Sequence, residues 1–104
     1  DDNEITVSLI MSQCAVYFGV TIEQMGSSER SHNVVEARQI AMYLCRELTD
    51  LSLPKIGREF GGRDHTTVMS ADKKIRTLMA ERRSTFNQVT ELTSRIKQAA
   101  QSPA

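Results

Sequence analysis

The residues best equipped for chemistry crowd into one stretch. Gly61-Gly62-Arg63 runs directly into Asp64, His65 and Thr66, and Ser70, Lys73 and Thr77 follow at helical spacing. On a 3.6-residue period Thr66, Ser70, Lys73 and Thr77 share one face, with Arg63, Asp64 and His65 projecting from its start. Small hydrogen-bonding side chains flanked by basic groups suit a surface pressed against base edges and phosphates. A merely solvated helix face more often carries Glu and Lys four residues apart, and this one carries no Glu before Glu81. Other chemistries fail on spacing. His65-Thr66-Thr67 fits the H-x-T of two-histidine phosphoesterases, but those need a second copy, and His32-Asn33-Val34 is not one. Cys14, His32, Cys45 and His65 lack the short paired spacings that preorganise zinc. No G-x-x-x-x-G-K-[ST] run exists to cradle a nucleoside triphosphate. The chain is therefore expected to hold no catalytic residue, no metal and no cofactor, and to take no small-molecule substrate.

The elements that must position this face read as helices throughout. A first helix starts near Thr6, with Val7, Ile10, Cys14 and Tyr17 on one side, and ends at Gly19. Thr21 to Gln24 reads as a capping box opening a short helix that Gly26 stops. Ser27 to His32 is a polar loop holding Arg30. Asn33 is expected to cap a third helix with Glu36 at its N3 position and Ala37, Ile40, Ala41, Leu44 and Leu48 inward. Ser52-Leu53-Pro54 opens a short fourth helix, since Pro is tolerated in a first turn. Leu53, Ile56 and Phe60 form its buried stripe, and Gly61-Gly62 breaks it. Val68, Ala71, Ile75 and Leu78 line a fifth helix from about Asp64 to about Arg82. A last helix is expected from Ser84, with Phe86, Val89 and Ile96 inward. No stretch alternates long enough for a strand. The expected fold is all-α, a bundle of about six helices in which residues 53–82 form a helix-turn-helix.

The chain has 104 residues, 39% hydrophobic and without Trp, enough for one domain over residues 1–104 with an aliphatic core. Its opening Asp1-Asp2-Asn3-Glu4, without Met, suggests a piece of a longer protein, and Gln101 to Ala104 reads as a frayed end. Cys14 and Cys45 are expected as buried free thiols in a reducing compartment. No membrane-spanning run and no signal peptide occur, so a cytoplasmic location is expected. Net charge is zero, yet it is segregated. Residues 1–29 hold five acids and no Lys or Arg, whereas residues 30–83 hold eleven Lys and Arg against seven acids. Fields reach only about a Debye length, ~8 Å at physiological salt, so the basic middle is where a polyanion would sit.

Phe60-Gly61-Gly62-Arg63-Asp64-His65-Thr66-Thr67-Val68, followed by Ala71, Lys74 and Ile75, resembles the signature of the C-terminal DNA-binding domain of the DnaA family of bacterial replication initiators. The likeness extends through Arg38-Gln39-Ile40-Ala41-Met42, Glu47-Leu48-Thr49 and Ser52 to Gly57, over roughly residues 5–97. It implies a Trp-repressor-like helical fold that binds double-stranded DNA at DnaA boxes, in the nucleoid, with the family's ATPase domain outside this chain. Regulatory proteins are further partners that the resemblance allows. It also implies roles by position. Arg30 matches the loop arginine that enters the minor groove, and Asp64, His65 and Thr66 match the major-groove contacts. Gln39, Arg46, Pro54 (through nearby backbone), Arg63, Thr67 and Lys74 match phosphate contacts.

The chemistry of these positions agrees with those roles. A guanidinium in a narrow A·T-rich minor groove reads shape. Asp64 suits a base donor such as cytosine N4–H₂ and can also cap its helix. Thr66 offers a methyl to thymine, and the His65 ring can pack likewise or hydrogen-bond. Three departures, Glu29 and His32 beside Arg30, Ala37 where Pro is common, and Asp72, imply a weaker non-specific electrostatic grip. Two other functions fit the same helices: a helix-turn-helix transcription regulator acting away from the origin, and a helical protein-interaction module docking through its acidic first helix.

Overall fold

In the computed structural model, which describes residues 4–101, six helices follow one another and no strand occurs among those residues. They are α1 (Val7–Phe18), α2 (Ile22–Met25), α3 (His32–Leu48), α4 (Leu53–Glu59), α5 (His65–Glu81) and α6 (Arg83–Gln101). Residues 1–3 and the end beyond Gln101 lie outside the described residues, while Gln101 itself closes α6.

Local chemistry accounts for most helix ends. The Thr6 hydroxyl accepts the Leu9 amide at 3.1 Å, and Gly19 closes α1 at φ 68°. Thr21 and Gln24 form the expected reciprocal box: Thr21 Oγ1 accepts the Gln24 amide at 3.0 Å and Gln24 Oε1 accepts the Thr21 amide at 2.8 Å. Ser52 caps α4 by accepting the Lys55 amide at 3.3 Å, with Pro54 in the first turn. The start of α3 differs from expectation. Ser31 occupies the cap position, so Asn33 lies inside the helix and its box with Glu36 does not form. The Ser31 hydroxyl instead donates to Glu29 Oε2 at 2.7 Å, which leaves it turned away from the helix amides.

α3 is the central helix, touching α1, α2, α4 and α5, and α6 closes the bundle against α1 and α5. Its buried face is wider than the expected stripe. Beside Ala37, Ile40, Ala41 and Leu44 it buries Val34, Arg38, Met42, Tyr43 and Cys45, whereas Leu48 is only half-buried. One continuous core runs from Ile10 and Cys14 through Met25, Ile40, Ile56 and Phe60 to Val68, Ile75, Leu92 and Ile96. Each such side chain contributes about 1.5–3 kcal/mol by leaving water.

α6 corrects a second expectation. It begins at Arg83 and turns Thr85, Val89, Leu92, Ile96 and Ala100 inward, while Phe86 is 47% exposed. Positions 85, 89, 92, 96 and 100 share one helical face. Phe86 stands one residue past Thr85, about 100° around the helix, and burying it would rotate Leu92 and Ile96 away from α1 and α5.

Candidate nucleic-acid interface

The turn between α4 and α5 is built by close backbone approach. Gly57 carries no Cβ because the chain returns against it: the Arg63 amide donates to the Gly57 carbonyl at 2.8 Å, and a Cβ at Gly57 would lie 2.1 Å from Arg63 O. Gly61 takes φ 82°, a left-handed conformation that L side chains rarely adopt, and a Cβ there would lie 2.0 Å from Gly26 O. The turn therefore presses on the α2–α3 loop at Gly26 while aiming α5 outward.

Asp64 opens α5 and engages both neighbours. Its Oδ1 accepts the His65 amide at 2.9 Å and lies 3.1 Å from His65 Nδ1, and its Oδ2 accepts the Thr66 hydroxyl at 2.8 Å. The Thr66 hydrogen bond, helped by those from His65, holds the Asp64 carboxyl below the ordinary aspartate value. All three side chains are exposed, so acceptor, ring and hydroxyl stand preorganised at the open end of the helix. Asp64 is thus a cap, and the lone pairs its two oxygens retain can still meet a base donor.

Behind this trio the outer face of α5 carries Thr66, Ser70, Lys73 and Thr77, all exposed, together with Met69. Arg46, near the C-terminal end of α3, and Leu53 of α4 line a shallow groove with Thr66, Met69, Ser70 and Lys73. Gln39 and Lys74 meet in a cleft between α3 and α5, beside His32, Glu36 and Arg82. Pro54 and Thr67 are exposed in the first turns of α4 and α5, outside both clefts.

Arg30 is exposed in the α2–α3 loop and shares a hollow with Ser28, Val35, Arg38 and Arg63. Arg63 is half-buried, and its guanidinium donates to the Phe60 and Ser27 carbonyls, tying the turn to that loop. Two of its five N–H groups are engaged in this way.

The acids that interrupt this face are engaged within the protein, Asp72 and Glu47 by an arginine and Glu29 by neutral donors. Arg76 donates to Asp72 Oδ2 at 3.0 Å and also to Glu47, and Glu29 accepts from Ser31 at 2.7 Å and from Gln24 at 3.3 Å. Asp72 Oδ1 remains buried without a partner. The pairing of Asp72 also consumes Arg76, which adds no free charge to the face.

Arg38 is the residue that reading the sequence for its site overlooked. It is 8% exposed and carries a charge into the loop side of the core, where its fork meets backbone carbonyls. The signal lay in its register: Val34, Arg38, Ala41 and Cys45 form a second buried stripe at helical spacing. Among the described residues no group of three or more His, Cys, Asp or Glu could hold a metal ion, and no helix is long and apolar enough to cross a membrane.

A short helix, a glycine-built turn and a long helix with an exposed polar leading face define a DNA-binding domain of the helix-turn-helix class. The family model for the bacterial dnaA protein helix-turn-helix matches residues 7–75, and the chain belongs to that family. It is 66% identical over 98 residues to the chromosomal replication initiator protein DnaA of Leifsonia xyli subsp. xyli (strain CTCB07), a match covering 94% of this chain and 21% of that protein. The protein of the same name from Clavibacter sepedonicus is 64% identical over 98 residues, with the same coverage. That from Cutibacterium acnes (strain DSM 16379 / KPA171202) is 59% identical over 97 residues, covering 93% of this chain and 19% of that protein. The chain thus spans about a fifth of the length of these relatives.

Proposed function

We propose that this chain is a single DNA-binding domain that recognises DnaA boxes in duplex DNA and serves initiation of chromosomal replication, in the cytoplasm at the nucleoid. One observation carries the reading. The hydrogen-bonded Asp64–His65–Thr66 cluster stands exposed at the start of α5, and Arg63, the residue before it, bonds the loop that presents Arg30. In this reading Asp64, His65 and Thr66 meet base edges in the major groove while Arg30 enters the adjacent minor groove. Gln39, Arg46, Thr67, Lys74, backbone near Pro54, and the three remaining N–H groups of Arg63 face phosphates.

The role in replication comes from the relatives, whose name is chromosomal replication initiator protein. ATP chemistry is assigned to the remainder of those longer proteins, and this domain contributes DNA address rather than catalysis. Regulatory proteins that adjust initiation are proposed as further partners of the longer protein.

The test is a fluorescence anisotropy titration against a labelled duplex DnaA box and a scrambled duplex, each at two salt concentrations. Tighter binding to the box is expected, with both affinities falling as salt rises because phosphate contacts release counterions. Equal binding to both duplexes would leave only a basic surface, and binding to neither would favour a protein-interaction module.

A further inference from the structure

The α2–α3 loop is held from two sides by arginines. From α3, Arg38 Nε donates to the Met25 carbonyl at 2.9 Å, and its Nη2 reaches the carbonyls of Glu29 at 2.9 Å, Ser27 at 3.1 Å and Gln24 at 3.3 Å. From the helix-turn-helix side, Arg63 donates to the same Ser27 carbonyl. The backbones also meet directly, since Gly61 has no room for a Cβ against Gly26 O. Arg30 follows Glu29 immediately, so the last carbonyl that Arg38 holds belongs to the residue before the loop's exposed arginine.

We propose that Arg38 is a positioning residue for DNA reading: by clamping the loop carbonyls and sharing Ser27 with Arg63, it joins the Arg30 loop to the helix-turn-helix turn, so that the two groove contacts act as one rigid reader. The proposal rests on the DNA reading given above. Its physical basis is the shape of the guanidinium, which presents donors in a fixed fork and reaches Met25 and Glu29 at once; a lysine ammonium cannot span both. A buried charge needs such compensation, and here it comes from carbonyl dipoles. The loop is then ordered before DNA arrives, so insertion of Arg30 loses less conformational freedom. The arrangement has an electrostatic cost, because burial and the neighbouring charges of Arg63 and Arg30 hold the Arg38 pKa below its usual value. A polyanion placed against Arg30 and Arg63 would relieve that repulsion.

The experiment compares the parent, Arg30→Ala, Arg38→Lys and the double variant. Each is titrated with a DnaA-box duplex and with the same duplex carrying G·C pairs opposite Arg30, at two salt concentrations. Amide hydrogen exchange is measured on the free proteins. In Arg38→Lys, exchange at residues 27–31 is expected to quicken by about tenfold or more while α5 amides are unchanged. The variant should also lose most of the parent's preference between the two duplexes. Adding Arg30→Ala should then change affinity by less than about twofold. Arg63→Lys, which opens the Ser27 link from the half-buried side, serves if Arg38→Lys does not fold; it is read by loop exchange alone, because Arg63 is itself a proposed phosphate contact, and exchange at residues 27–31 should quicken in smaller measure.

Unchanged loop exchange, or an Arg30→Ala loss of equal size in both backgrounds, would overturn the proposal. A parent that binds box and scrambled duplexes alike overturns the DNA reading itself, whereas a discriminating parent with independent losses overturns only the positioning role.

Discussion

Thr66 donates its hydroxyl proton to Asp64 Oδ2, and that one bond is the largest cause of the lowered Asp64 pKa. Replacing Thr66 by Val keeps the shape and removes the donor. The Asp64 carboxyl should then titrate closer to the ordinary value of about 3.9, measured as the midpoint of its carboxyl ¹³C shift by NMR. Because the folded-state value is depressed, the ionised form is the one the fold favours. Its contribution is present above the unfolded aspartate range and is lost as pH falls through the folded value. Asp64 therefore stays ionised throughout the neutral range. An unmoved midpoint in Thr66→Val would mean that the hydroxyl does not hold the carboxylate in solution.

Among the elements, α6 and the α4–α5 turn carry distinct expectations. Leu92 is fully buried and Phe86 is 47% exposed. Leu92→Ala should cost about 2–5 kcal/mol and Phe86→Ala under about 1 kcal/mol, both read from denaturant midpoints. The opposite order would place α6 on the face its aromatic residue first suggests. In the turn, Gly57→Ala would drive a methyl into the Arg63 carbonyl. Such overpacking costs about 1–3 kcal/mol and should lower Tm while shifting the start of α5. A Gly57→Ala domain with the parent's Tm and box preference would show that the turn has room to relax.

For the whole molecule, the two thiols report on the integrity of the core. Burial pushes Cys14 up to about 12, and burial together with Cys14 and Glu59 pushes Cys45 up to about 12. The folded state keeps both neutral, while unfolded thiols ionise near ~8.5. Their contribution to stability is accordingly whole below that pH and declines as pH rises toward the folded value. The denaturant midpoint of the parent should fall more steeply between the two values than that of a Cys14→Ala/Cys45→Ala variant. Parallel curves would mean that the core admits thiolate or opens before it forms.

Much of the molecule was determined locally. Thr6, Thr21, Ser52 and Asp64 each carry a side-chain oxygen positioned to meet an amide of the following turn, and hydrophobic spacing set the inner faces of α1, α4 and α5. The run from Phe60 to Ile75 was sufficient to indicate the family, and the polar leading face of α5 was legible in its spacing. Other features depended on contacts between elements. Ser31 rather than Asn33 stands at the start of α3, and its hydroxyl is drawn to Glu29 in the preceding loop rather than to a helix amide. Phe86 faces outward because α1 and α5 together accept the Leu92 and Ile96 side of α6. Arg38 serves the Arg30 loop because a guanidinium at the edge of the core finds carbonyls there, and no helical period states which carbonyls those are. Capping and amphipathicity act within a few residues of one another, whereas the distance between the two proposed groove contacts is set by backbones that meet only after the chain has folded.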